Sequence, residues 1–284
     1  MSAPTWFVTG AGSGLGLALA EHVLASGDRV VLAARGEHGL EDLLARYPET
    51  ALPVVLDVTD PAQRRDAVGR ATAWAGGIDV LVNNAGIDFL GAIEEQTEAD
   101  SRAQLEVNFF APLELTRLVL PGMRARRTGT IVNVSSMDGV ASLPGNALYS
   151  ASKFALEGLT EALWQELAPT GVRAFVVQPG SFRTGIEHRT HVSGERIADY
   201  DTTTGQFLRL VSGVPPEAFP GDPERAAAAI AANVRADEPR RWLVLGSDAL
   251  RRVSARVDAY RAELDAQRVT AGATDFPGSG PAVL

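Results

Sequence analysis

Apolar residues along the chain alternate between two patterns. Short, β-branched and almost wholly apolar runs occur at residues 5–9, 29–34, 53–57, 80–83, 130–134, 173–178 and 241–245. Runs of that length predict strands buried on both faces. Between them lie stretches with helical spacing, at residues 15–25, 39–46, 61–74, 98–126, 149–167, 223–235 and 247–266. Punctuation supports these boundaries. Asp60-Pro61 and Asp222-Pro223 each read as an N-cap followed by proline at the first helical position, and Thr97 with Asp100 resembles a capping box. Gly27 and Gly171 stand where glycine ends helices.

Strands alternating with helices predict an α/β fold, a Rossmann-type doubly wound parallel sheet of seven strands with helices on both faces. The 284 residues suit one such domain. Residues 185–221 are irregular and mixed in polarity, and too long for a simple connection. They read as a lid over a substrate. Residues 271–284, rich in Gly and Pro, read as an extended tail. In sheets of this kind ligands bind beyond the carboxyl ends of the strands, so the residues just after each strand are the ones to inspect.

Composition narrows the classes. Net charge is −9, which disfavours a nucleic-acid partner. There is no cysteine, which removes disulfides and thiolate metal sites and suits a cytoplasmic protein. The strand pattern begins at Thr5 and no run is long enough to span a bilayer, so neither a leader nor a membrane partner is expected. The basic residues are 25 arginines and one lysine, Lys153. Either Lys153 is a survivor of compositional drift, or the position needs a compact ammonium that a planar guanidinium cannot imitate.

Candidate chemistry follows the strand ends. The first strand runs into Gly10-Ala11-Gly12-Ser13-Gly14-Leu15-Gly16 and then a helix. Glycines there admit a sharp turn and a close pyrophosphate, and the helix N-terminus offers unpaired N–H groups, so Gly10, Ser13, Gly14, Leu15 and Gly16 read as dinucleotide-binding. The second strand ends in Ala34-Arg35 rather than in the acid that would bond a ribose 2′-hydroxyl. Arg35 suits a 2′-phosphate, which makes NADP(H) the expected cofactor and NAD(H) the alternative. Asp57 and Val58 would meet the adenine, although Asp57 could equally belong to the turn leading to Asp60. Asn83-Asn84-Ala85-Gly86 lets a cofactor approach, and its Asn side chains can tie strand ends together. Ser136 ends the fifth strand, and Tyr149 and Lys153 lie at i, i+4 on one helical face. An ammonium beside the phenol would lower its pKa, and Ser136 could hold a substrate oxygen beside it. That arrangement suits hydride transfer with Tyr149 as proton donor or acceptor.

These motifs, with Thr9, Asn108 and Pro179-Gly180 leading to Thr184, resemble the short-chain dehydrogenases/reductases over residues 5–185 in order and spacing. Lys153-Phe154-Ala155-Leu156-Glu157-Gly158 and Gly246-Ser247-Asp248-Ala249 resemble the branch of 17β-hydroxysteroid and retinol dehydrogenases, without implying either substrate. The resemblance implies that Ser136, Tyr149 and Lys153 are catalytic, with Asn108 holding a water in a proton relay and Lys153 gripping the nicotinamide ribose. Pro179, Gly180, Phe182 and Thr184 would line the carboxamide. Asp88, Met137 and Asp138, with the lid from residue 186 to 210, would face a small carbonyl or alcohol substrate. A homodimer or homotetramer is the implied assembly, and Leu163 and Trp164 are expected to be buried, at a subunit contact.

Other readings carry less. Glu187, His188 and His191 do not make a convincing metal site, and none is expected. Arg124, Arg126 and Arg127 read as a solvated helix end. The rivals to a carbonyl/alcohol oxidoreductase are dehydration or epimerisation on the same scaffold, and a regulatory protein that binds NADP(H) without turnover.

Overall fold

The computed structural model describes residues 3–185 and 190–280. In chain order the strands are β1 (Thr5–Thr9), β2 (Arg29–Ala34), β3 (Ala51–Val55), β4 (Val80–Asn83), β5 (Asp88–Leu90), β6 (Gly129–Val134), β7 (Val172–Pro179), β8 (Thr190–Val192) and β9 (Trp242–Leu245). The helices are α1 (Gly14–Ala25), α2 (Glu41–Arg46), α3 (Pro61–Ala75), α4 (Glu98–Leu105), α5 (Ala111–Arg126), α6 (Ala147–Leu167), α7 (Gln206–Ser212), α8 (Pro223–Arg235), α9 (Ser247–Ala266) and α10 (Arg268–Gly272). Seven strands form one parallel sheet in the order β3-β2-β1-β4-β6-β7-β9. The chain direction across the sheet reverses between β1 and β4, which opens a crevice at their carboxyl ends.

Both faces of the sheet are covered, as the apolar runs require. Trp6 and Val8 face a core with Leu19 and Val23 of α1 and with Ala227 and Ile230 of α8. Phe7, between them, faces the opposite core with Leu81, Ile131, Leu115 and Met123. Each fully buried side chain of this size contributes about 1.5–3 kcal/mol. The Asp60 carboxylate accepts from the N–H groups of Ala62 and Gln63, and that of Asp222 from Glu224 and Arg225. Thr97 Oγ1 accepts from Asp100 N–H, but the reciprocal arm of the box is missing. The Asp100 carboxylate accepts instead from Ser193 Oγ at 2.6 Å.

Four expectations need correction. The third strand lies two residues earlier than its apolar run, because β3 is an edge strand and Pro53, which has no N–H to give, is tolerated inside it. The stretch 98–126 is broken by a π-turn, Glu106–Phe110, between α4 and α5. Pro112 has no N–H for the carbonyl four residues earlier, that of Asn108, and so forces the helical register to shift. Arg126 and Arg127 are exposed, as a solvated helix end is, and are tethered as well: Arg126 donates to the Ile78 carbonyl at 2.7 Å and Arg127 to that of Pro169 at 2.7 Å. The tail is partly helical, since α10 runs to Gly272, while residues 281–284 lie outside those described. Leu163 is buried as expected, whereas Trp164 is only half-buried, its ring perpendicular to Trp242 at 4.6 Å.

A second small sheet escaped the periodic pattern. β5 pairs in parallel with β8, with Asp88 opposite Thr190 and Leu90 opposite Val192. It fastens the start of the region read as a lid to the segment that follows β4.

Candidate active site

The crevice is built by side chains that bond neighbouring strand ends together. Thr9 Oγ1 donates to the Val82 carbonyl and accepts from the N–H groups of Asn84 at 2.9 Å and Ala85 at 3.0 Å. Asn84 Nδ2 donates to the Thr9 carbonyl at 2.9 Å, and Asn83 Nδ2 to Asn133 Oδ1 at 2.8 Å. The strand-tying role read for these asparagines is what they perform. Gly10, at φ +66°, makes the turn out of β1. Gly16 is required by space: a Cβ there would lie 2.5 Å from the Gly10 carbonyl oxygen and 2.4 Å from Asn84 Nδ2.

One cavity of about 300 Å³ runs from this loop to the chemical residues. Gly10, Ser13, Leu15, Asn84, Ala85 and Gly86 line one part of it, and Asp88, Ser136, Met137, Asp138, Tyr149 and Lys153 another. Pro179, Gly180, Phe182 and Thr184 form a further wall. Sixteen residues selected from sequence, scattered over more than 170 positions, thus share one space. Gly14 and Gly16 shape the loop without lining the cavity. Arg35, Asp57 and Val58 lie beyond it, at the ends of β2 and β3. Arg35 is exposed and has no ion pair among the described residues. Asp57 serves the turn reading: its Oδ1 accepts from the N–H and hydroxyl of Thr59 at 2.9 and 2.7 Å.

Tyr149 and Lys153 stand one turn apart on α6, Nζ 5.6 Å from the ring centre. Lys153 is buried, and its Nζ donates to the Val134 carbonyl at 2.9 Å. The electrostatics differ from the simple expectation. Burial pushes the phenol above its ordinary value, and the charges of Asp88 and Asp138 push it further, while a hydrogen bond with Ser136 opposes the rise. Tyr149 therefore keeps its proton at neutral pH. Burial brings Lys153 down to about 8 against the pull of Asp88 and Glu157. Asp88 is pushed up to about 7 by burial and then by Asp138, with Lys153 opposing. Glu157 also rises to about 7 through burial, and both of its oxygens accept from Gln178 Nε2.

Asn108, fully buried in the π-turn, has its side chain committed. Its Oδ1 accepts from Ile87 N–H at 3.0 Å, and its Nδ2 donates to the Ile87 carbonyl at 2.9 Å and to Ser152 Oγ at 3.1 Å. It sets the path of the chain between Gly86 and Asp88.

Several residues were not found by sequence reasoning. Arg252 of α9 pairs with the Asp138 carboxylate and donates to the Ala141 carbonyl. Asp248 accepts from Ser181 N–H at 2.8 Å and holds the loop after β7. Asn146, at the start of α6, lines the cavity. Asp248 lay within a segment already noted for its resemblance; nothing in spacing marked the other two. Glu187 and His188 lie outside the described residues, while the His191 ring packs on Phe89 at 5.6 Å. Among the described residues no group of three His, Cys, Asp or Glu could hold a metal, and no helix is long and apolar enough to cross a membrane.

Known proteins share this fold. A family model described as short chain dehydrogenase matches residues 4–193. The structure is similar to a short-chain dehydrogenase from Streptomyces avermitilis, at TM-score 0.89 and 41% identity, over 97% of this chain and 100% of that one. It is also similar to a short chain dehydrogenase/reductase from Burkholderia phymatum in complex with NAD, at TM-score 0.80 and 25% identity over 92% and 95% of the two chains. A short chain dehydrogenase from Burkholderia cenocepacia in complex with NADP aligns at TM-score 0.73 and 29% identity over 94% and 97%.

Proposed function

This chain belongs to the short chain dehydrogenase family, and from that premise we propose that it is an NADP(H)-dependent enzyme that interconverts a small ketone or aldehyde and its alcohol. That it is an oxidoreductase acting on CH–OH groups with a nicotinamide cofactor follows from the family. The observation that carries the finer reading is the single cavity joining the glycine loop to Tyr149, Lys153 and Ser136. A dinucleotide fits the cradle that a Cβ at Gly16 would close, with Gly10, Ser13, Leu15, Asn84, Ala85 and Gly86 along it and Pro179, Gly180, Phe182 and Thr184 beyond.

A bound nicotinamide cofactor supplies the hydride and accepts it back. In reduction the substrate oxygen would take the Tyr149 proton as negative charge develops on it. Ser136 holds that oxygen beside the phenol. Lys153 steadies the phenolate left behind and grips the cofactor ribose. Because the phenol is protonated at neutral pH, the chain's own groups are set for reduction. The side chain of Asn108 is fully used, so its part in the proton relay falls to its main-chain carbonyl, which Pro112 cannot partner. Residues 190–221, the described part of the region read as a lid, close the substrate side, and two or four copies assemble.

Arg35 decides the cofactor, being free to receive a 2′-phosphate in fork geometry. Arg35→Ala should raise KM for NADPH about 10- to 100-fold and leave KM for NADH unchanged. A native preference for NADH, or undiminished NADPH use by the variant, removes this assignment.

A further inference from the structure

The substrate end of the cavity holds more hydrogen-bond acceptors than a carbonyl can use. Asp88 and Leu90 project from one face of β5 and both line the cavity, while Phe89 projects oppositely onto His191. Oδ1 of Asp88 is buried and has no hydrogen-bond partner. The neighbouring carboxylates are served differently. Asp138 has Arg252, and Glu157 has Gln178. Lys153 eases the Asp88 charge only from a distance, since its Nζ donates to the Val134 carbonyl and makes no ion pair with Asp88 among the described residues.

A second orphan lines the same space. Asn146 is only 4% exposed, and its Oδ1 also lacks a partner. Buried acceptors left without donors are costly, so two of them on residues that line one cavity point to a ligand that brings donors. Leu143, Phe207, Val211 and Phe219 supply apolar wall for the rest of such a ligand. Burial and the nearby Asp138 charge disfavour the Asp88 carboxylate, and a ligand cation would relieve both. A neutral hydroxyl would satisfy the hydrogen bond but leave the charge unmatched.

We propose that the carbonyl substrate carries an ammonium group close to its reacting carbon, received by Asp88 with Asn146 as a further acceptor, and an apolar tail that lies on Phe207 and Phe219. The substrate class is thus an amino ketone, or the corresponding amino alcohol in the reverse direction. This rests on the carbonyl/alcohol reading above.

The experiment compares 1-amino-2-heptanone hydrochloride, 1-hydroxy-2-heptanone and 2-heptanone as substrates of the wild-type enzyme and of Asp88→Asn, with NADPH or NADH. The amino ketone should exceed both others in kcat/KM by about tenfold or more, the scale of a charge-assisted hydrogen bond in a dry site. In Asp88→Asn that ratio should collapse toward one. A wild-type enzyme that treats the three alike, or a ratio unchanged in the variant, overturns the proposal. Thermal shift with heptylammonium chloride and with 1-heptanol, in the presence of NADP⁺, provides a readout without turnover. Stabilisation by heptylammonium alone, lost in Asp88→Asn, upholds the ammonium site even if no ketone is reduced, in which case the oxidoreductase reading is what fails. Equal shifts in both proteins, or none, overturn it.

Discussion

Replacing Asp88 by Asn should stabilise this protein, and increasingly so as pH rises. Asp88 titrates near 7 in the fold, against an ordinary value of 3.8. Holding its carboxylate charged in the folded protein therefore costs about 4 kcal/mol relative to the open chain, as an upper bound. The folded state keeps a proton that the unfolded state releases, so stability is lost as pH climbs from about 4 through 7 and the loss levels off above. Asn presents the same shape without the charge. Its advantage over Asp should be small near pH 4, about 2 kcal/mol at pH 5 and about 4 kcal/mol at pH 8. Urea unfolding followed by far-UV circular dichroism at pH 5, 6, 7 and 8 measures this difference directly. A difference that does not grow with pH, or a variant less stable than wild type at pH 8, would refute the assignment of Asp88 as an uncompensated buried carboxylate.

Two further substitutions probe the frame. Lys153→Arg preserves charge, but a planar guanidinium cannot reproduce the compact ammonium whose Nζ donates to the Val134 carbonyl. Turnover should fall at least about 100-fold while the protein stays folded, and near-normal kcat would make the lone lysine an accident of composition. Gly16→Ala drives a methyl into the Gly10 carbonyl; steady-state kinetics should show cofactor KM raised at least about tenfold and thermal unfolding a loss of about 1–3 kcal/mol, and an unaffected variant would mean that the loop is looser than described.

Much of this was legible in the sequence because it depends on local or repeating signals. The large sheet follows from apolar runs that must be buried on both sides, and helix starts follow from Asp-Pro pairs whose caps are local. The catalytic pair was readable because i, i+4 fixes a shared helical face whatever surrounds it. What surrounds it was not readable. Tyr149 was expected to be acidified by Lys153, yet the two carboxylates and the burial that reverse this arrive from β5 and from the turn after β6. Arg252 reaches Asp138 across 114 positions, a meeting that only tertiary packing creates. The β5–β8 pair is three residues long, too short for a period of two to register. Pro53 misled for a related reason: its tolerance depends on β3 being an edge, which is a property of the sheet and not of the strand.

The central claim is that Tyr149 delivers the proton that accompanies hydride transfer. The direct test follows the nicotinamide absorbance band during carbonyl reduction by wild type and by Tyr149→Phe, with cofactor affinity measured in parallel by fluorescence titration. Tyr149→Phe should bind cofactor within about threefold of wild type and lose at least about 100-fold in kcat. Full turnover by Tyr149→Phe would contradict it.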